Sequence, residues 1–340
     1  MPSILMTFYE IIKFKVFKMF YPPKGLIIAL ITPFNGKGAI DWVSLRHLIE
    51  RVLPFGDGLF FGAGMVGEGL FLPNPLRLEL LQGAMDIVSG KKALLLCPTA
   101  NTVEETLSNV EAVSSKYSAP SNQEPFYWVD IPLWYHSNRK LSQLYQEWAK
   151  CSPFPVLLDN HPHLITRLNR TLKRSNIRTA VLKGLAGNEQ MVGLIQAGDL
   201  KRTMHYQRAV RSRREFRFYD GDENSFLNQP SSSGVVSAGA NLLPAEWKEV
   251  VAASLSLAET PAPNLLLLQQ SQKLRELSRA LRMNPAGSLK FALHRLGLIS
   301  HPQVLRETPA DASGVEEAMG NFLQENFSLQ NPLYNAIDKT

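Results

Sequence analysis

Cysteine is nearly absent from this chain: Cys97 and Cys151 are the only two in 340 residues. Two isolated thiols build neither a disulfide framework nor a zinc site, and they point to a reducing, cytoplasmic setting. Long apolar runs are also missing. The most apolar N-terminal stretch, Phe8 to Phe20, is broken by Lys13, Lys15 and Lys18. It is too short and too charged to cross a bilayer, and its charges do not precede the apolar stretch as in a secretory signal. We read residues 1–24 as an N-terminal extension, either poorly ordered or lying ahead of a true start at Met19. No membrane association is expected. Charge of one sign is scarce as well, with a net +6 from 36 basic and 30 acidic residues. The densest basic stretch, Lys201 to Arg217, reads as a solvated helix face, and no nucleic-acid partner is expected. Phosphate loops and dinucleotide fingerprints are lacking too. Gly62-x-Gly64-x-x-Gly67 opens no nucleotide-binding unit, and no cofactor is expected.

What is present is a rhythm. Short apolar runs recur at Leu26–Thr32, Gly58–Gly62, Ala93–Cys97, Phe126–Ile131, Pro155–Asp159, Thr179–Lys183, Glu215–Tyr219 and Gly234–Ala238. They are continuous rather than alternating, as strands buried on both faces are. Helix-like segments separate them, including Trp42–Leu53, Asn74–Val88 and a segment opened by the capping pattern Thr102-Val-Glu-Glu105. Asn138–Ala149, Leu164–Arg174 and Asn188–Arg211 also read as helices. Eight strand–helix units predict an α/β fold, a (β/α)8 TIM barrel over residues 25–244. A C-terminal helical extension follows over 245–312, with helices expected at Glu246–Leu257, Asn264–Met283 and Gly287–Leu296, then a tail over 313–340 with one more helix expected at Val315–Glu325.

In such barrels the working groups lie at the C-terminal ends of the strands. Lys183 ends the sixth run, an odd place for a surface lysine. A lysine desolvated there has a lowered pKa, and its free amine attacks carbonyls. The competing reading is a strand-end lysine whose head snorkels to water. His136, His161 and His163 fall on strand-end loops, where a lone histidine is more often incidental. Asp220, Asp222 and Glu223 admit a divalent-metal reading.

The ordered pieces Ala29-Leu-Ile-Thr-Pro-Phe34, Gly67-Glu68, Ala100-Asn-Thr102, Asn160-x-Pro162, Lys183 with Gly187-Asn188, Gly221-Asp222, Gly234-Val-Val-Ser237 and Asn284-Pro285 resemble the dihydrodipicolinate synthase / N-acetylneuraminate lyase family from about Gly25 to Leu298. The resemblance implies a class I lyase or aldolase that forms a Schiff base between its strand-six lysine, matched to Lys183, and pyruvate or another 2-oxo acid, with an aldehyde as the further partner. It implies that backbone N–H groups at Gly64, Met65 and Val66 hold the substrate carboxylate, with a strand-eight contact at Val236, and that the chain assembles as a dimer or tetramer. It makes Gly221-Asp222 a structural turn rather than a metal site. The catalytic aromatic falls on Tyr135, or on Trp134 if the loop after Pro132 aligns without a gap. Met65 and Val66 stand where the family usually carries two threonines, which implies an altered proton relay. Asp159 stands where a tyrosine is usual. An ionised carboxylate there would oppose imine chemistry by raising the pKa of a neighbouring lysine. The alternative is a catalytically degenerate barrel that binds a 2-oxo acid in a regulatory role.

Overall fold

The computed structural model describes residues 21–88, 90–117, 126–168, 174–256, 265–305 and 312–327. Residues 1–20 of the N-terminal extension and residues 328–340 of the tail lie outside the described residues. Eight parallel strands close into one barrel in sequence order. They are β1 (Gly25–Ala29), β2 (Gly58–Phe61), β3 (Ala93–Leu96), β4 (Phe126–Asp130), β5 (Val156–Asn160), β6 (Met191–Gln196), β7 (Arg217–Asp220) and β8 (Gly234–Ser237). Nearly every strand residue is buried. That is why the sequence shows unbroken apolar runs: one face fills the barrel and the other packs under helices.

The helices follow the expected local chemistry. In α1 (Trp42–Val52), Leu45, Leu48, Ile49 and Val52 form the buried stripe, and Asp41 caps the first turn by accepting from the Ser44 N–H. In the order of the chain, α2 is Asn74–Val88 and α3 is Val103–Lys116. The Thr102 side chain caps α3 by accepting from the Glu105 N–H. Next come α4 (Pro132–Tyr135), α5 (Leu141–Cys151), α6 (Pro162–Arg167) and α7 (Thr179–Leu185). They are followed by α8 (Leu200–Ala209), α9 (Glu223–Asn228), α10 (Pro244–Leu255), α11 (Leu265–Leu281), α12 (Pro285–Arg295) and α13 (Ala312–Asn326). The last of these falls in the stretch read as a tail. It packs on α11 and α12 through Met319, Phe322 and Leu323, all buried. Among the described residues no helix is long and apolar enough to cross a membrane.

The sixth strand is the one that the sequence misplaces. Thr179–Lys183 is helical, inside α7, and β6 is the next apolar run, Met191-Val-Gly-Leu-Ile-Gln196. A four- to six-residue apolar run has no periodicity that separates a strand from a buried helix turn. In α7 the apolar side chains Leu182 and Leu185 face inward, and Lys183 projects outward, exposed. The expected helix Asn188–Arg211 is therefore a strand followed by a helix, and Asp199 caps α8 by accepting from the Arg202 N–H. Gly193 also favours the strand. A Cβ there would sit 2.9 Å from the Arg217 carbonyl oxygen of β7, too close for any other residue in this tightly paired position.

Candidate active site

The strands deliver one set of side chains to the C-terminal mouth of the barrel, where a cavity of about 620 Å³ opens. Its floor includes Ala29 of β1, Phe60 of β2 and Ile195 of β6, and one wall is the loop Gly64-Met65-Val66. Val236 of β8 lines the same space, so Gly64, Met65, Val66 and Val236 are brought together in one cavity.

The loop after β2 is shaped by close backbone approaches. Gly62 has φ +69°, in the left-handed region. A Cβ on Gly69 would lie 1.8 Å from the Gly62 carbonyl oxygen, so the chain can cross itself there only with glycine. The N–H groups of Gly67, Glu68, Gly69 and Leu70 all turn back onto the carbonyls of residues 63–65. Those of Met65 and Val66 donate to no group among the described residues, and they sit at the cavity wall. Successive main-chain donors of this kind make a concavity for an anion. Arg167 and Arg282 line the same cavity and are exposed at its rim. Their charge favours an anionic occupant.

Lys183 is not in this cavity. It lies in a groove at the other end of the barrel, with Tyr21, Gly187, Glu189 and Arg213. Arg213 ties that end together by donating to the carbonyls of Ala186 (2.6 Å) and Asn188 (3.2 Å), just ahead of β6. Because α7 precedes β6, its residues emerge beside the N-terminal ends of the strands. The position expected for the amine is thus the wrong end of the barrel for it. No lysine among the described residues lines the mouth. The cavity-facing position near the end of β6 is Ile195, 2% exposed, flanked in register by Asp159 of β5 and Tyr219 of β7.

The two aromatic candidates are also elsewhere. The Tyr135 hydroxyl is turned inward and donates to Asp130 Oδ2 (2.8 Å), which also accepts from the Tyr145 hydroxyl (2.7 Å). Thr99 Oγ1 donates to the other oxygen, Oδ1, at 2.7 Å. Burial pushes the Asp130 carboxyl up, against the pull of these three donors. Burial first, and then the neighbouring Asp130 charge, hold the Tyr135 phenol well above its ordinary value. Trp134 Nε1 donates to Asn101 Oδ1 (3.1 Å). Neither residue lines the cavity. The reason is local: Pro132 starts a single helical turn, α4, that folds Tyr135 back over the end of β4.

The acidic trio at the end of β7 is bound up in structure. Asp222 caps α9 by accepting from the Ser225 N–H (2.8 Å), and Asp220 accepts from the Ser231 N–H (2.8 Å). Glu223 accepts from Ser237 Oγ (2.5 Å) and from the Gly239 N–H (2.7 Å), joining α9 to the end of β8.

Among the described residues that line the cavity, the buried polar atoms left without a partner belong to Asp159 and His161. Asp159 is 8% exposed and lines the cavity, and its Oδ1 has no hydrogen-bond partner. Burial, with the Asp130 charge as a smaller contribution, pushes its carboxyl up to about 7. His161 also lines the cavity, with Nδ1 buried and unpartnered. Burial and the neighbouring His163 push it down to about 4, against the pull of Asp222. The residue between them points the other way. Asn160 donates to Gln196 Oε1 (2.8 Å) and Asn176 Oδ1 (2.9 Å), and accepts from the Ile177 N–H (2.8 Å). Alternation along β5 thus locks the strand through Asn160 and aims Asp159 and His161 into the mouth.

An orphaned buried carboxyl has a cost that depends on pH. Between about pH 4 and pH 7 the folded chain keeps the Asp159 proton that the unfolded chain releases. From this group stability therefore falls as pH rises through that window, by at most about 1.4 kcal/mol per pH unit, and is level above it. Asp159→Asn should remove that slope. The amide keeps part of the burial cost, so the net gain at pH 8 is about 2 kcal/mol, read from urea unfolding of both proteins at pH 5 and pH 8. A wild-type stability that rises from pH 5 to pH 8 more steeply than the variant's would contradict this.

Comparison with known proteins places the chain in a family. The family model described as "Dihydrodipicolinate synthetase family" matches residues 22–319. A 4-hydroxy-tetrahydrodipicolinate synthase of Shewanella pealeana is 27% identical over 308 residues, covering 87% of this chain and 97% of that protein. The enzyme of that name from Pseudomonas aeruginosa is 26% identical over 281 residues, covering 81% and 89%. Among solved structures, the dihydrodipicolinate synthase of Thermotoga maritima superposes with a TM-score of 0.72 at 23% identity, over 90% of this chain and 99% of that one. The chloride-inhibited enzyme of Acinetobacter baumannii, complexed with pyruvate, gives 0.71 at 22% identity, over 89% and 98%. The chain is a divergent member of the dihydrodipicolinate synthetase family of lyases.

Proposed function

We propose that this member of the lyase family receives a short 2-oxo acid of the pyruvate type at the barrel mouth and holds it without a covalent imine. The observation that carries the reading is Ile195. The cavity-facing place near the end of β6 is a branched hydrocarbon, and no lysine among the described residues lines the cavity. An alkyl side chain has no lone pair with which to attack a carbonyl. The carboxylate of the ligand would lie on the Met65 and Val66 N–H groups, with Arg282 and Arg167 drawing it in from the rim. Its carbon chain would rest on Ile195 and Phe60.

Isothermal titration of the full chain with pyruvate, 2-oxobutyrate and acetate tests this. We expect saturable binding of the 2-oxo acids. Ile195→Trp, which fills the floor, should abolish it, and Lys183→Ala should leave it unchanged. Loss of binding in Lys183→Ala, with Ile195→Trp still binding, would overturn the reading.

A further inference from the structure

The mouth of the barrel carries no amine among the described residues, yet it holds two ionisable side chains with unused atoms. Asp159 Oδ1 and His161 Nδ1 are both buried, both without a partner, and both on the cavity wall. Buried polar atoms are nearly always hydrogen-bonded, and two orphans facing one cavity point to a ligand that completes them. Their placement suits a pair. They are two residues apart at the end of β5, so their Cα atoms are roughly 7 Å apart and their side chains share a face. A small substrate fits between such side chains.

We propose that Asp159 and His161 are an acid–base pair that enolises the bound 2-oxo acid, taking over the electron-sink task that an imine would perform. The inference rests on the noncovalent binding reading above. In the step, His161 Nδ1, in the Nε2–H tautomer, accepts a proton from C3 of the 2-oxo acid. The C3–H electron pair becomes the C2=C3 bond. The C2=O π pair moves to the oxygen, which takes the proton of the Asp159 carboxylic acid. The enol is then flanked by an Asp159 carboxylate and a His161 imidazolium, and the reverse step restores both. No co-reactant is consumed.

The surroundings keep both groups in the required forms. Asp159 is covered by Ile195 of β6 on one side and faces the Asp130 carboxylate of β4 on the other, and both its burial and that charge favour the acid. His161 is faced by His163 and Arg167 of α6, which disfavour its proton, and by Asp222 ahead of α9, which favours it. The other cavity charges are Arg282 and Glu223, and the latter is held by Ser237 and Gly239. The acid is protonated below about pH 7 and the base is free above about pH 4, so between those limits both are ready in the resting protein. This order maximises the competent fraction.

The test is exchange of the C3 protons of pyruvate in deuterated buffer, followed by proton NMR with the full chain, alongside calorimetric binding of the same ligand. We expect exchange above the buffer rate that falls as pH rises past about 7. Asp159→Asn and His161→Phe should each slow it about a hundredfold while pyruvate still binds. Asp159→Asn should also remove the upper limb of the pH profile, which a merely structural role would not do. Lys183→Ala should exchange at the wild-type rate. Pyruvate that binds but exchanges no faster than in buffer overturns the acid–base proposal alone, as does full exchange in Asp159→Asn. Failure of the wild type to bind pyruvate overturns the binding reading beneath it.

Discussion

Ile195→Lys should turn the barrel mouth into an imine-forming site. Residue 195 faces the cavity between Asp159 and Tyr219, 2% exposed, at the strand end where a desolvated amine would be nucleophilic. Incubation with pyruvate and borohydride should then take the protein from background labelling to a stoichiometric adduct at that position, seen by peptide mass mapping. Asp159 works against this. Its carboxyl would give up its proton to a neighbouring amine and hold it as ammonium. Combining Ile195→Lys with Asp159→Leu should therefore trap faster at neutral pH than Ile195→Lys alone. If Ile195→Lys folds, binds pyruvate and yields no adduct under either background, residue 195 does not face the carbonyl of the bound 2-oxo acid.

The second large effect is on stability and comes from the C-terminal helices. Lys290 of α12 is buried against Glu68 of the loop after β2, and the two form an ion pair. Lys290 Nζ also donates to the Gln303 carbonyl (2.8 Å) and lies 4.1 Å from the Phe34 ring centroid. Glu68 Oε1 accepts from the Leu305 N–H (2.7 Å). Glu68 has φ +55°, a left-handed conformation that costs a non-glycine residue something and persists only when its surroundings impose it. These contacts fasten the loop that carries the Met65 and Val66 N–H groups to the C-terminal extension. Burial pushes the Lys290 ammonium down and the Glu68 charge pulls it back. Removing one member of such a pair strands the other, at about 3–5 kcal/mol. Lys290→Met should lose that much in urea unfolding, and Glu68→Gln combined with Lys290→Met should recover much of it. A Lys290→Met protein within about 1 kcal/mol of wild type would show that the pair contributes little.

The barrel was legible because burial on both faces writes strands as continuous apolar runs, and eight such runs were counted. Seven of them fall on strands in the structure. The sixth failed for a physical reason. Thr179-Ala-Val-Leu182 and Met191-Val-Gly-Leu-Ile195 are both short apolar runs, and only tertiary packing decides between them. Two signals favoured the second. Gly193 is a poor helix residue in mid-run, and Gly198-Asp199 is a helix start immediately after it. The error mattered because one strand shift exchanged an exposed helical lysine for a buried isoleucine.

The Gly-rich loop after β2 was readable in composition, but which of its N–H groups remain unused depends on how it crosses itself at Gly62 and Gly69. Asp159 and His161 were visible as strand-end residues. Their unpartnered atoms and shifted protonation come from the cavity around them and are not written in local sequence. Tyr135 looked free, and only the fold shows its hydroxyl spent on Asp130. Lys290 lies on the buried face of a helix the sequence did outline, but its partner is 222 residues away.

Among the described residues, this lyase-family barrel has no amine at its mouth. Borohydride trapping of the wild-type chain with saturating pyruvate, followed by peptide mapping across every lysine, tests it most directly. No lysine should carry a stoichiometric, saturable adduct, although pyruvate binds. A single saturating adduct at Lys183, or at any other lysine, would contradict it.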